Sequence, residues 1–283
     1  MGVRQTLRFI ARHPLTRDRP VPAIARYCAW QVRSRLQDDV TVPWIDGATL
    51  VARRGMHGAT GNIYCGLHEF ADMAFVMHLL RPGDLFVDVG ANVGSYTVLA
   101  AKVCGADVVA VEPDPETNAG LSKNVRANGV DDRVRTHELA VSSTSGTVRF
   151  TIGRDTTNRV ANGGDAATRC VPAITLDELL RGRRPTMIKL DLEGHEPDAI
   201  AAAGRTLASR DLLAVATESA DDPVGNMLRS AGFERWHYDP FERNLSAGPR
   251  PVTAMNALFL REVAQCQNRV EAAPLRHVLH RMV

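Results

Sequence analysis

Cysteine is scarce and unpatterned: Cys28, Cys65, Cys104, Cys170 and Cys266 are odd in number and nowhere spaced as C-x-x-C. That excludes a disulfide framework and a zinc finger, and fits free thiols in a reducing compartment. Long hydrophobic runs are missing too. None approaches the length of a membrane span, and no signal peptide is visible. The expectation is a cytoplasmic protein, with any membrane contact peripheral to the inner face. Neither sign of charge is in excess: 34 Lys and Arg stand against 32 Asp and Glu, a formal net charge of +2, too little for an obligate nucleic-acid binder. There is no internal repeat, no Asn-Pro-Pro-Tyr or Asp-Pro-Pro-Tyr run of the kind used on nucleobase amines, and no Pro-Cys nucleophile for cytosine C5. No nucleic acid is expected as substrate.

The most informative stretch is Asp88-Val89-Gly90-Ala91-Asn92-Val93-Gly94. It follows the apolar run Leu85-Phe86-Val87 and leads into a helical pattern from Ser95, so a buried strand, a glycine turn and a helix start come in succession. Gly90 and Gly94 let a ligand approach the backbone, and a helix start offers unpaired N–H groups. A second strand, 107–111, ends in Glu112, about twenty residues beyond Gly90, where an acid can accept from both hydroxyls of a ribose. The pair predicts a nucleoside-containing cofactor.

The turn narrows the choice. A dinucleotide site needs G-x-G-x-x-G, whose middle glycine lets a pyrophosphate settle on the helix. Here the spacing is G-x-x-x-G, Asn92 takes the place of the middle glycine, and Asp88 would repel a phosphate. S-adenosylmethionine, with a ribose, an amine and a sulfonium but no phosphate, suits these carboxylates better.

Five segments then resemble one family in order: LRPGDLFVDVGANVGSYT at 80–97, VEPDP at 111–115, LSKNVRAN at 121–128, TLDELL at 175–180 and IKLDLEGHE at 188–196. The chain is similar to the FkbM-type S-adenosylmethionine-dependent methyltransferases from about residue 63 to 262. The resemblance implies an α/β, Rossmann-like class I methyltransferase fold, with a seven-strand, mostly parallel sheet and helices on both faces. It also implies S-adenosylmethionine as cofactor and a hydroxyl acceptor on a sugar, free or lipid-linked, or on a polyketide-type product. Rival readings are a carboxylate or amine acceptor, a nicotinamide-dependent oxidoreductase, and a binding-only relative.

At 283 residues, 45% hydrophobic and 23% charged, the chain is long enough for one large α/β domain with small additions. Residues 1–60 read as a basic extension with helices at 3–11 and 22–36 and a strand pair turning at Asp46-Gly47. Residues 61–262 read as the methyltransferase domain, entered through an amphipathic helix at 69–80, and 263–283 as a helical tail. Within the domain, strands are expected at 134–139, 186–190, 212–216, 234–238 and 256–260, with 147–152 as an extra strand on that edge. Helices are expected at 115–127, 176–181, 196–207 and 223–231. Either terminus could meet an anionic membrane or a second copy in a homodimer.

For the site, the expected cofactor contacts are Glu69, Asp88, Gly90, Asn92, Gly94, Ser95, Glu112, Pro113, Ala140 and Asp191, with Tyr64 and Asp114 as weaker candidates. Asn92 and Ser95 either bond the amino-acid end or cap the helix. The catalytic candidates are Lys189, Asp191, Glu193 and His195 at the carboxyl end of the fourth strand, where ligands of open parallel sheets bind. Asp191 lies near the cofactor amine or serves as the acceptor's base, and His195 suits a base by its near-neutral pKa. Asp191, Glu193 and Glu218 could converge on magnesium, but solvated separate carboxylates are the expectation and no metal is assigned. The loop 154–169 could border the acceptor.

Overall fold

The computed structural model describes residues 2–153, 158–161, 167–219, 222–247 and 255–283. The chain opens with α1 (Val3–Arg12) and α2 (Pro20–Leu36), then the antiparallel pair β1 (Val40–Pro43) and β2 (Thr49–Ala52), which turns through Asp46 and Gly47 at positive φ. Next come α3 (His57–Cys65), α4 (Phe70–Leu79), β3 (Leu85–Val89) and α5 (Ser95–Val98, widening into a π turn over Leu99–Val103). Then follow β4 (Asp107–Val111), α6 (Pro115–Ala127), β5 (Val134–His137), β6 (Ala140–Val141), β7 (Gly146–Thr151), β8 (Thr168–Ile174), α7 (Leu176–Leu179) and β9 (Met187–Leu190). The remainder is α8 (Glu196–Ala201), α9 (Gly204–Ala208), β10 (Ala214–Thr217), α10 (Val224–Ser230), β11 (Glu234–Asp239), β12 (Asn244–Ser246), β13 (Ala257–Leu260), α11 (Val263–Glu271), β14 (His277–Val278) and β15 (Arg281–Met282).

Among the described residues the central sheet has eight strands in the order β12-β11-β13-β10-β9-β3-β4-β5. From β10 to β5 all neighbours are parallel, while β13 runs against both β10 and β11. This is the Rossmann-like class I arrangement, with β12 added beyond the seven expected strands. Successive strand residues serve opposite faces. Phe86, Val108 and Met187 join a core with α4 and α11, whereas Val87, Val109 and Ile188 join one with α8 and α10. Burial on both faces explains why these strands read as nearly continuous apolar runs. Strand order reverses between β3 and β9, and ligands of open sheets bind in the crevice at such a switch.

Four expectations need correction. The strand at 147–152 is not on the edge of the main sheet. It is β7, paired along its whole length with β8 in a separate three-strand sheet that also holds β6 and has its own small core of Ala140, Phe150, Val171 and Ala173. The helix before β3 is not amphipathic, because the sheet and α11 cover it and every residue of α4 except Asp72 is buried. The helix at 196–207 is two, interrupted at Ala202 and Ala203. The tail after 263 is helical only through α11, and β14 and β15 form a hairpin.

The amino-terminal elements are fastened to the sheet by two asparagines one turn apart, Asn124 on α6 and Asn128 at its carboxyl cap. The Asn124 side chain accepts from Val51 N (2.7 Å) and donates to the carbonyls of Val51 and Val93, and Asn128 accepts from and donates to the Thr49 backbone (2.8 and 2.9 Å). Each amide mimics a neighbouring strand along the free edge of β2. Asp114 caps α6 by accepting from Thr117 N at 3.0 Å, with Pro115 at its first turn. No helix among the described residues is long and apolar enough to cross a membrane.

Candidate active site

The turn after β3 uses its own amides. Gly90 N and Ala91 N both donate to the Val111 carbonyl (3.0 Å), Asn92 N to Glu112 Oε2 (3.0 Å), Val93 N to Asn92 Oδ1 (2.8 Å) and Gly94 N to the Ala91 carbonyl (2.9 Å). None of these five is left to cradle a phosphate, which a dinucleotide needs. Gly90, Asn92 and Gly94 all take positive φ. Gly94 does not line the cavity: it packs against Leu121 of α6, where a Cβ would fall 2.5 Å from Leu121 Cδ1. Ser95 neither caps α5 nor is free, since its hydroxyl donates to the Gly58 carbonyl at 3.0 Å.

Glu112 stands at the end of β4 and is buried. One carboxylate oxygen accepts from Asn92 N and the other from Asp114 N (2.9 Å), so its orientation is fixed and each oxygen keeps capacity for one more donor. Burial pushes its pKa up to about 7, against the pull of those two amides. Asp88, at the end of β3, accepts from the Thr97 hydroxyl at 2.7 Å through Oδ2, while buried Oδ1 has no partner among the described residues. Burial raises its pKa, with Lys189 opposing.

These groups border a cavity of about 260 Å³ at the carboxyl ends of β3, β4 and β9. Of the residues expected from sequence, Glu69, Asp88, Gly90, Asn92, Ser95, Glu112, Pro113, Ala140, Lys189, Asp191 and Glu193 line it. His195 does not. Gly194, at φ 96°, reverses the chain, and the imidazole turns away to Ser142 Oγ (3.1 Å) and Asp198 (3.4 Å). Tyr64 also lies off the wall, edge-on to Tyr27. Sequence reasoning did not find Gly58, Asn62 and His68 from α3 and its exit, Met73 from α4, Tyr96 from α5, or Phe150 beside the small sheet. His68 fits only because Gly61 has no side chain: a Cβ there would meet its ring at 2.1 Å. Burial lowers the His68 pKa, which keeps the imidazole neutral. Most of the expected acceptor loop 154–169 lies outside the described residues, although Asn158 and Val160 reach the wall.

Lys189 is the cation of the cavity floor. It is buried, its ammonium 2.5 Å from Asp191 Oδ2 and 4.7 Å from the centre of the Tyr96 ring. Burial opposes its charge, yet Asp191, Glu69 and Asp88 together outweigh burial and hold its pKa above the ordinary lysine value. The Tyr96 hydroxyl donates to Glu69, which also accepts from Asn256 Nδ2 (3.3 Å). Behind Glu69, Asp72 accepts from Met255 N and Asn256 N, and burial with the Glu69 charge pushes it up to about 7. At the rim, Asp191, Glu193 and Glu218 converge, one oxygen of each within 4.8 Å of the others. Burial of the carboxyl, then Asp191 and Glu193, push Glu218 up to about 8, and burial and Asp191 raise Glu193. Three such oxygens can share a proton or hold a divalent cation.

The sequence model of the methyltransferase FkbM domain matches residues 88–233, from Asp88 of this cavity past Glu218 and just over half the chain. The chain belongs to the FkbM methyltransferase family. That family uses S-adenosylmethionine, whose lack of phosphate agrees with the spent amides of the turn. Hexuronic acid methyltransferase AglP of Haloferax volcanii is 29% identical over 144 residues, 50% of this chain and 58% of the relative. The 31-O-demethyl-FK506 methyltransferase FkbM of Streptomyces tacrolimicus is 40% identical over 105 residues, 35% of this chain and 39% of the relative. A ribosomal protein L11 methyltransferase of Thermotoga petrophila is 34% identical over 84 residues, 29% of this chain and 31% of the relative. The match thus spans from about a third to somewhat over half of these relatives.

Proposed function

We propose that this protein transfers a methyl group from S-adenosylmethionine to a hydroxyl of a small molecule, either a sugar, free or lipid-linked, or a polyketide-type product. The observation that carries this reading is the convergence of Asp191, Glu193 and Glu218 at the rim of a cavity that also presents a fixed Glu112.

The wall suits the cofactor by its donor set. Glu112 would accept from the ribose hydroxyls, the unpartnered Oδ1 of Asp88 would take a donor from the amino-acid end, and Pro113, Ala140 and Val141 offer an apolar bed for adenine. S-adenosylmethionine supplies an electrophilic methyl carbon on a sulfonium. The chain's own work is to fix the acceptor oxygen in line with that carbon and to take its proton. A carboxyl with a pKa near neutrality is suited to the second task, and Glu218 meets that condition while Asp191 is tied to Lys189. A proton taken by Glu218 is spread over three converging carboxyls.

A carboxylate acceptor is the main rival, since hexuronic acid, named for one relative, carries both hydroxyls and a carboxyl. An ionised carboxylate would meet three acids at the rim, and Lys189 is already neutralised by Asp191. A divalent cation on the same three oxygens is a second reading, because hard oxygen ligands at this spacing suit magnesium.

The test is methyl transfer from isotopically labelled S-adenosylmethionine to a panel of sugars, lipid-linked sugars and hydroxylated macrolides, with products treated with mild base. Label in an ether survives, as expected. Label released by base would mean an ester and would replace the hydroxyl reading with the carboxylate one. Activity abolished by a chelator and restored by magnesium would establish the cation.

A further inference from the structure

Away from the cavity, the surface hardest to reconcile with water is the outer face of α2. A helix packed on a core normally has one apolar side and one polar side. α2 is apolar on both. Ala23, Tyr27 and Trp30 face inward, in a cluster with Ile10 of α1 and Tyr64 of α3. On the opposite side Val21, Ala25, Cys28, Ala29, Val32 and Leu36 recur at helical spacing, and all are exposed. Val21, Val32 and Leu36 keep 73%, 59% and 78% of their accessible surface. Single exposed apolar side chains are ordinary, but an unbroken stripe along a whole helix marks an interaction surface.

Basic side chains flank the stripe along its length. Arg33 and Arg35 flank it on α2, and α1, which packs on the same inner cluster, leaves Arg4, Arg8 and Arg12 exposed at one-turn intervals. Between residues 2 and 36 the sequence has one acid, Asp18, and it is engaged by Arg17 and by Arg281 of the carboxyl-terminal hairpin. A second copy docking on the stripe about a twofold axis would set these arginines against their own copies, a like-charge contact that opposes association. An anionic lipid surface meets both features, taking the stripe at the acyl boundary and the guanidinium groups at its headgroups.

We propose that α1 and α2 form a peripheral binding surface for anionic lipid bilayers, with α2 lying in the plane of the interface. α2 is too short and too polar at its flanks to cross. The surface is one helix away from the cavity. Arg26 of α2 donates to the Tyr64 carbonyl of α3 at 2.7 and 3.1 Å, and α3 carries Gly58 and Asn62 to the cavity wall. That placement suits an acceptor carried on a lipid. This last point rests on the hydroxyl-methylation reading above, whereas membrane binding itself does not.

The experiment is co-sedimentation of the full chain with vesicles of phosphatidylcholine alone and with vesicles that also contain phosphatidylglycerol. Binding is expected only to the anionic vesicles, with release at high salt. Arg8→Ala should weaken it about fivefold, and Val32→Glu with Leu36→Glu should abolish it. Both substitutions are on exposed positions, so thermal unfolding and calorimetric binding of S-adenosylhomocysteine should stay at wild-type values, which separates a failed membrane surface from a failed cofactor site. Absence of binding to anionic vesicles, or wild-type binding by the Val32→Glu, Leu36→Glu protein, would overturn the proposal. So would light scattering that shows a wild-type dimer converted to monomer by those substitutions, because the stripe would then belong to a second copy.

Discussion

Gly90, at the end of β3, lies directly against the backbone of Asp191 at the end of β9: a Cβ on the glycine would fall 2.0 Å from the Asp191 carbonyl oxygen. The contact locks the turn after β3 to the strand that carries the rim acids, so any shift of one is felt by the other.

Gly90→Ala should therefore harm both stability and binding. Overpacking against a backbone atom costs about 1–3 kcal/mol and the left-handed φ of 80° about 1–2 more. Gly129 is the control: it also has positive φ but open space around it, so Gly129→Ala should cost only about 1–2 kcal/mol. Thermal unfolding of the two variants, together with S-adenosylhomocysteine titration, separates strain from collision. Equal losses in both would mean that Gly90 and Asp191 are not in contact.

Lys189 holds several acids together. Lys189→Met leaves Asp191, Glu69 and Asp88 without their buried counter-charge and should destabilise the fold by about 3–5 kcal/mol. Adding Asp191→Asn should restore part of the loss, since the uncompensated charge is then removed. Chemical denaturation of the single and double variants measures this. A Lys189→Met protein as stable as wild type would show that the ion pair is not charged in the folded state.

The rim acids set a pH dependence with a definite sign. Glu218 has its pKa raised to about 8, so it is protonated and unable to accept a proton at lower pH, and becomes a base as pH rises through that value. The ratio kcat/KM should fall about tenfold per pH unit below this limb. Glu218→Gln should lower the rate and remove the limb, and a profile between pH 6 and 9 reads both. An unchanged limb in Glu218→Gln would transfer the proton to another group.

Much of the cavity wall formed by β3 and β4 was legible because its determinants are local. Gly90 and the acid at the end of β4 announce themselves within one strand–turn–helix unit and its neighbour, and their register follows from parallel pairing of β3 with β4. Tyr96 was missed because in sequence it is one more apolar residue inside a helix, and only its position under Lys189 and beside Glu69 gives it a role. Residues 57–65 carry two glycines, which argue against a helix, so α3 and its cavity residues Gly58 and Asn62 were not foreseen. A possible signal was Asn62 followed by His68, since Asn62 Oδ1 accepts from His68 N at 2.7 Å and closes the α3 exit. The placement of β7 failed for a non-local reason, because its partner β8 begins only at Thr168, well beyond the end of β7 at Thr151. His195 read as a site residue from the near-neutral pKa of its residue type at the carboxyl end of the fourth strand, but backbone direction at Glu193 and Gly194, both at positive φ, decides where it points.

The most direct measurement is calorimetric titration of the protein with S-adenosylhomocysteine beside Glu112→Ala, at a pH above 7 where the Glu112 carboxylate is ionised. Saturable binding by wild type and its loss by at least about tenfold in the variant is expected, since two hydrogen bonds to a charged acceptor disappear. Failure of folded wild-type protein to bind, or equal binding by Glu112→Ala, would contradict the assignment of this cavity to the cofactor.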